Sequence, residues 1–235
     1  MFLSHERNLT LARLGIKLNR KQEPLGTGKE SQFPLQWFMK NGGYIMNNIE
    51  NKKWLHISRE TSWKIGNKIV AGEEFNEFWK GCKTFSPTIE GISCCDLINV
   101  PDEDWNKLFK PTLLAKGLKT VSKEFALYKR EQVFEQVRKE QFNDLPSRQK
   151  CIWLTDEENL EYWKTMSTEE KCLLTLELQE EKMICCDESW LYIDTFLDDE
   201  YERRARNYWT GSVSNAPHLE YLFYGTAIVK NIERI

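Results

Sequence analysis

Residues 219–229 read LEYLFYGTAIV, two apolar runs separated by Gly225. Aromatic and β-branched side chains favour strands, and a glycine between two such runs marks a break. The only charged residue here, Glu220, precedes an otherwise apolar strand, where an unpaired charge would be costly. The stretch therefore predicts two closing strands that form a hairpin, over 219–224 and 227–232, with Glu220 as a candidate functional residue.

Upstream patterns add more strands and two helices. The apolar segments 151–154, 172–178 and 183–186 predict strands. An apolar stripe of helical period predicts a helix over 121–142, with Lys and Arg side chains on its opposite face. A second helix is predicted over 198–209, where acidic residues come first and arginines follow. Helices lie early and strands concentrate late, which predicts an α+β domain rather than a doubly wound nucleotide fold.

The two ends of the chain differ in composition. Residues 1–50 are rich in Gly, Asn, Lys and Gln, and predict an irregular N-terminal extension. Residues 51–235 predict one catalytic domain, whose first strand lies at 54–58. The sequence begins without a signal-peptide pattern and contains no run of 18 apolar residues. We therefore expect a cytoplasmic protein that does not enter the membrane.

Several kinds of chemistry lack the residues they need. The chain has seven cysteines without a Cys-x-x-Cys pair, and three histidines. We therefore expect reduced, mostly buried thiols, and no metal site. A Gly-x-Ser-x-Gly elbow is missing as well, so a serine hydrolase has no support.

Charge is unevenly distributed, although the net charge is only -3. Residues 106–150 contain eleven Lys or Arg against five Asp or Glu, whereas residues 151–205 contain five against sixteen. The basic segment, with its interleaved aromatic residues, fits a nucleic-acid partner. Solvated helix faces of opposite sign explain the same pattern equally well.

Three pieces of the sequence resemble ADP-ribosyltransferases of the diphtheria-toxin and poly(ADP-ribose) polymerase lineage. Residues 55–58, Leu-His-Ile-Ser, are similar to the histidine-containing first strand of that superfamily. Residues 146–156 are similar to the segment that continues the NAD cleft. Glu220, ahead of an aromatic and apolar strand, resembles the catalytic carboxylate. The resemblance covers about residues 53–235 and implies a split β-sheet core flanked by helices.

The resemblance implies a mono-ADP-ribosyltransferase that uses NAD as co-substrate. Cleavage of the nicotinamide–ribose bond passes through an oxocarbenium-like state, which a carboxylate stabilises, and Glu220 takes this catalytic role. The planar nicotinamide needs an aromatic face, and the riboses and pyrophosphate need polar partners. The residues expected to contact NAD are His56, Ile57, Ser58, Ser147, Arg148, Trp153 and Tyr208.

The implied acceptor is a macromolecule, either nucleic acid such as RNA or DNA, or protein. His218, two residues before Glu220, stands where arginine-modifying relatives carry Glu or Gln, so an arginine acceptor is not expected. A toxin or phage-defence effector fits this class, and such an effector would require a neutralising antitoxin. Two alternatives stay open. One is a non-catalytic binding module with the same fold, and the other is a ribonuclease-like toxin that uses His56, His218 and Arg148.

Overall fold

The computed structural model describes residues 37–40, 43–46, 52–89, 91–97, 99–105, 110–165, 170–179 and 183–235. The chain divides into two units, Met1–Phe33 and Pro34–Ile235, and the described residues all belong to the second. Most of the predicted extension over 1–50 therefore lies outside the described residues. Its described part forms two paired antiparallel strands, so the prediction of an irregular segment is wrong for this part.

The described residues form eleven strands and five helices. The strands are β1 (Trp37–Lys40), β2 (Gly43–Met46), β3 (Trp54–Ser58), β4 (Lys68–Ala71), β5 (Thr88–Ile89), β6 (Ile92–Ser93), β7 (Ile152–Leu154), β8 (Cys172–Leu178), β9 (Met183–Asp187), β10 (Leu219–Phe223) and β11 (Gly225–Arg234). The helices are α1 (Glu77–Thr84), α2 (Cys94–Leu97), α3 (Pro111–Gln141), α4 (Leu160–Lys164) and α5 (Asp198–Trp209), with 3-10 turns at Asp102–Asp104 and Glu188–Leu191. The pairings are all antiparallel, which confirms the α+β class.

Two antiparallel sheets form the centre of the fold. One has the strand order β3-β8-β11-β4, and the other has the order β7-β10-β9. The sheets meet where Leu55 of β3 exchanges two backbone hydrogen bonds with Thr155, the residue after β7, at N–O distances of 3.0 and 2.8 Å. This bridge is isolated, so β3 and β7 diverge beside it and leave a cleft between the two sheets.

The closing stretch forms two strands, as predicted, but the predicted hairpin is wrong. β10 lies between β7 and β9, whereas β11 lies between β8 and β4, so each strand is central to a different sheet. Gly225 has a φ of 135° at the point where the chain passes between the sheets. That backbone conformation is open to glycine and costly for other residues.

The three-stranded sheet separates two cores. Tyr221 and Phe223 pack toward the four-stranded sheet, in a core that also contains residues of β3, β8 and β11. Leu222 packs on the other side, in a core with side chains of α3 and α5. Because side chains alternate along a strand, Glu220 lies on the helix side with Leu222.

Helix α5 has the predicted bounds, 198–209, whereas α3 begins earlier than predicted, at Pro111. Proline is favourable in the first turn of a helix because the amide there has no intrahelical partner. Arg130 of α3 was expected on the solvated face but is buried. The seven cysteines are all free, and four of them are buried. None of the described helices combines the length and the apolar character needed to cross a membrane.

Candidate active site

A pocket of about 370 Å³ lies at the cleft between the two sheets. Its walls come from β3, the loop before β7, β7 itself, β10 and the 3-10 turn after β9, with one residue each from α1, α3 and α4. Five of the eight residues that the sequence nominates line this pocket, namely His56, Ile57, Arg148, Trp153 and Glu220. The fold therefore brings together residues that are separated by up to 164 positions in the chain.

Glu220 is the most deeply buried carboxylate of the pocket, at 3% exposure. Its Oε1 accepts hydrogen bonds from the Arg148 guanidinium and from the Tyr208 hydroxyl, the latter at 2.5 Å. Within the described part of the chain, Oε2 takes no such hydrogen bond. One oxygen of the carboxylate is thus held by the protein, and the other remains for a ligand.

Arg148 connects Glu220 to a second buried carboxylate on α3. Its Nε donates to Glu131 Oε2 at 3.4 Å, and Glu131 Oε1 accepts from Arg130 Nη2 at 2.5 Å. Two arginines and two glutamates therefore alternate in one buried network whose charges balance. A buried charge is tolerated when it is paired and hydrogen-bonded in this way.

The network fixes the charge state of its members. Burial disfavours the charged form of Arg148, but the neighbouring Glu220, Tyr208 and Glu131 raise its pKa well above the usual value. Burial likewise opposes the charge of Glu131, yet Arg148 and Arg130 hold the pKa of Glu131 below its usual value. Both groups therefore stay ionised at neutral pH.

Asn76 fixes the backbone of the loop that carries Arg148. Its Nδ2 donates to the carbonyl oxygens of Arg148 and Cys151, at 2.7 and 3.0 Å. Its Oδ1 accepts from the Trp79 amide at 2.9 Å and caps the N-terminus of α1. One side chain thus joins a helix start to the loop. A polar residue directly before a helix is a recognisable cap signal, but its second role depends on the tertiary fold.

His56 contacts the other sheet from β3. Its Nδ1 lies 2.9 Å from the Trp153 carbonyl oxygen, which only accepts hydrogen bonds, so Nδ1 carries the proton. Burial lowers the pKa of His56, more than the hydrogen bond to Trp153 raises it. The imidazole is therefore neutral at pH 7, with Nε2 as an acceptor for a ligand hydroxyl.

Three nominated residues lie outside the pocket wall. The Ser58 hydroxyl accepts from Trp63 Nε1 at 2.8 Å, and the Ser147 hydroxyl donates to Glu135 Oε2 at 2.9 Å. Both hydroxyls are thus engaged in holding loops. Tyr208 is fully buried and reaches the site only through its bonds to Arg148 and Glu220. It has no open face on which nicotinamide can stack.

His218, the histidine of the ribonuclease alternative, is not among the residues that line the pocket. Its ring stacks on Tyr162, with ring centres 3.6 Å apart and an interplanar angle of 5°. Its backbone amide donates to Asp187 Oδ1 at 3.0 Å. The pocket therefore contains one histidine, His56, which gives no support to an acid and base pair of histidines.

Several other pocket residues were not predicted from the sequence. Glu188 adds a second carboxylate, and it follows an apolar strand much as Glu220 precedes one. The cationic residues of this kind are Arg59, Arg130 and Lys171, and the aromatic ones are Phe78 and Trp163. Arg130 and Arg148 belong to the charge-balanced network with Glu131 and Glu220, whereas Arg59 and Lys171 lie outside that network. In the described parts of the chain, no three His, Cys, Asp or Glu side chains are grouped to hold a metal.

The fold and the site define an α+β protein with a cationic pocket between two antiparallel sheets and a buried, arginine-paired glutamate in its wall. Residues 54–234 match the family model described as "Protein of unknown function (DUF2441)", and the chain belongs to this family. The match begins at the first residue of β3 and ends at the last residue of β11, so it contains both sheets and the whole pocket. No curated protein matches the chain.

Proposed function

We propose that this protein is a NAD-dependent mono-ADP-ribosyltransferase with an ADP-ribosyltransferase-like split sheet, in which Glu220 is the catalytic carboxylate. One observation carries the proposal. Arg148 and Tyr208 both bind Oε1 of Glu220, inside a pocket at the divergence of two sheets, and leave Oε2 available. A carboxylate held rigidly by one oxygen is preorganised to bind a ribose hydroxyl with the other.

The chemistry matches such a carboxylate. The bond between C1′ of the ribose and the nicotinamide nitrogen breaks, and its electron pair neutralises the pyridinium. Positive charge develops at C1′ and the ring oxygen, and the negative charge of Glu220 stabilises it. An acceptor then forms a bond to C1′ and loses a proton. Neutral His56, with Nε2 as an acceptor, is suited to orient a ribose hydroxyl beside Glu220.

The remaining pocket residues fit the other parts of NAD. Trp153, Phe78 and Trp163 supply aromatic surface for the planar nicotinamide. Trp153 Nε1 is buried and has no partner among the described residues. Lys171, which also lines the pocket, is suited to bind the pyrophosphate. The volume of about 370 Å³ is within the range of small-molecule sites.

The acceptor is a macromolecule, nucleic acid or protein, and the activity fits a toxin or defence effector that acts in the cytoplasm and is restrained by an antitoxin. The basic segment 106–150 supports a nucleic-acid acceptor through its charge. The segment also contributes Arg130 and Arg148 to the pocket, where both are paired with glutamates.

Release of nicotinamide from NAD tests the proposal. The full chain is compared with Glu220→Gln, first in buffer, where water is the acceptor, and then with RNA, DNA or cell protein added. We expect Glu220→Gln to lower the rate by at least about 100-fold, because a preorganised electrostatic contact of this kind is lost. Glu135→Gln is the matched control, since Glu135 is also buried and ion-paired, with Arg138 at 2.9 Å, but does not line this pocket.

Two outcomes would contradict the proposal. One is that folded wild-type protein binds NAD without releasing nicotinamide, which would favour the non-catalytic binding module. The other is that Glu220→Gln and Glu135→Gln release nicotinamide at the same rate. Thermal unfolding of each variant shows that a loss of activity is not a loss of fold.

A further inference from the structure

The pocket contains a second carboxylate on the same face of the sheet as Glu220. In the β9–β10 pairing, Cys186 lies opposite Glu220. The Glu188 amide donates to the His218 carbonyl at 2.8 Å, which continues this register by one pair beyond the end of β9. Because side chains alternate, Glu188 shares the face of Cys186 and Glu220. Diagonal neighbours of this kind have α-carbons about 7 to 8 Å apart.

Helix α4 holds Glu188 from one side. The Tyr162 hydroxyl donates to Glu188 Oε2 at 2.8 Å, and the Tyr162 ring is itself fixed against His218. No described residue donates to Glu188 Oε1. As in Glu220, one oxygen is held by the protein and one remains for a ligand.

The two carboxylates differ in their charged neighbours. Glu220 is paired with Arg148, whereas Glu188 forms no ion pair within the described ranges. Burial raises the pKa of Glu188; the Tyr162 hydrogen bond opposes this shift, Glu220 adds to it, and Arg148 and Arg130 oppose it. Two carboxyl groups in unlike surroundings are suited to different tasks in one reaction.

We propose that Glu188 is the general base that activates the acceptor, and that this acceptor is a neutral hydroxyl group, with water in its place when no macromolecule is bound. This inference rests on the proposed transferase function and specifies its acceptor. Both carboxylates line the same pocket, and in inverting glycosidases the second carboxylate of such a pair activates water.

The step balances with the groups in the pocket. The hydroxyl oxygen forms a bond to C1′ and gives its proton to Glu188. The bond between C1′ and nicotinamide breaks, and its electron pair leaves with nicotinamide. Glu220 takes no part in this proton transfer and stays paired with Arg148. A carboxylate or phosphate acceptor has no proton to give up and is repelled by the charge of Glu188, whereas a neutral hydroxyl group has a proton that Glu188 can take.

Rescue by azide distinguishes a general base at Glu188 from a residue that only supports the structure. Azide is an anion that attacks C1′ without losing a proton, and it yields ADP-ribosyl azide and nicotinamide. We expect Glu188→Gln to lower the nicotinamide release supported by water by about 100-fold. Sodium azide should restore at least about a tenth of the wild-type rate to Glu188→Gln, with the adduct detected by mass spectrometry. It should restore nothing to Glu220→Gln.

The pH dependence gives a second readout. The wild-type rate should rise with pH as Glu188 loses its proton, and Glu188→Gln should lack this rise. Tyr162→Phe removes a hydrogen bond that lowers the pKa of Glu188. In this variant, the increase of the rate with pH should therefore occur at higher pH. Glu135→Gln should keep the wild-type profile.

Two results would overturn the inference, and only one of them would also overturn the transferase proposal. If Glu188→Gln keeps the wild-type rate and pH profile, or if azide fails to restore it, Glu188 is not the base, although the transferase proposal stands. If the wild-type protein releases no nicotinamide, the transferase proposal fails and the inference fails with it.

Discussion

Replacing Arg148 with methionine should destabilise the protein strongly, whatever the pocket binds. The Arg148 side chain is 5% exposed, and its carboxylate partners Glu220 and Glu131 are 4% and 1% exposed. Methionine keeps most of the volume but leaves Glu220 with only the Tyr208 hydroxyl as partner. Removing one member of a buried pair costs about 3 to 5 kcal/mol. For a domain of this size, that cost lowers Tm by roughly 6 to 20 °C.

A second substitution, at Glu220, should recover part of the stability that Arg148→Met loses. Arg148→Met combined with Glu220→Leu removes both charges, and Glu131 keeps Arg130. Since a buried ion pair can often be replaced by apolar groups at little cost, the double variant should be at least about 2 kcal/mol more stable than Arg148→Met alone. Urea unfolding at pH 7, followed by circular dichroism, measures the wild type, both single variants and the double variant.

A loss of less than about 1 kcal/mol in Arg148→Met at pH 7 would contradict this prediction. So would a double variant that costs as much as the two single variants together.

Further predictions concern the supports of the site. Asn76→Ala should cost about 2 kcal/mol in urea unfolding, because it loses a helix cap and two bonds to the Arg148 loop. Asn76→Asp keeps the cap but sets a carboxylate oxygen against two carbonyl oxygens, so it should be destabilised as well. Gly72→Ala should cost at least about 2 kcal/mol, since Gly72 has a φ of 111° and a Cβ there would overlap the Tyr224 ring; an unchanged Tm would contradict this. Stability should fall below pH 6.5 by up to about 1.4 kcal/mol per pH unit, because His56 protonates more readily when unfolded. His56→Asn should reduce that slope, and an equal slope in both proteins would exclude His56 as its source.

The sequence predicts the strands and one helix of the fold well because their patterns are local. The closing strands and α5 follow from apolar runs, a glycine break and the placement of acidic residues. The sequence does not predict which strands pair. The predicted hairpin over 219–232 failed because β10 and β11 each find two partners elsewhere in the chain, and a local pattern carries no information about distant partners.

Some residues of the candidate site could be predicted from local sequence patterns, and others could not. Glu220 was predictable from one charged residue beside an apolar strand, and Arg148 from its loop-to-strand position. Arg130 was placed on the polar face of α3, because its helical position does not reveal that Glu131 and the Leu191 carbonyl bind it in the interior. Glu188 has the same local pattern as Glu220, and only the register of β9 and β10 places the two carboxylates in one pocket.

The position of β10 and β11 at the centres of the two sheets has a consequence for biosynthesis. β3 and β4 find their partners β8 and β11 more than 100 residues later in the chain, as in the pairs Ile57 with Leu173 and Val70 with Thr226. Contacts of such long sequence separation form slowly. On the ribosome, the three-stranded sheet cannot be completed before β10 has emerged, nor the four-stranded sheet before β11. Premature termination before residue 219 would therefore release a chain without β10, β11 and Glu220.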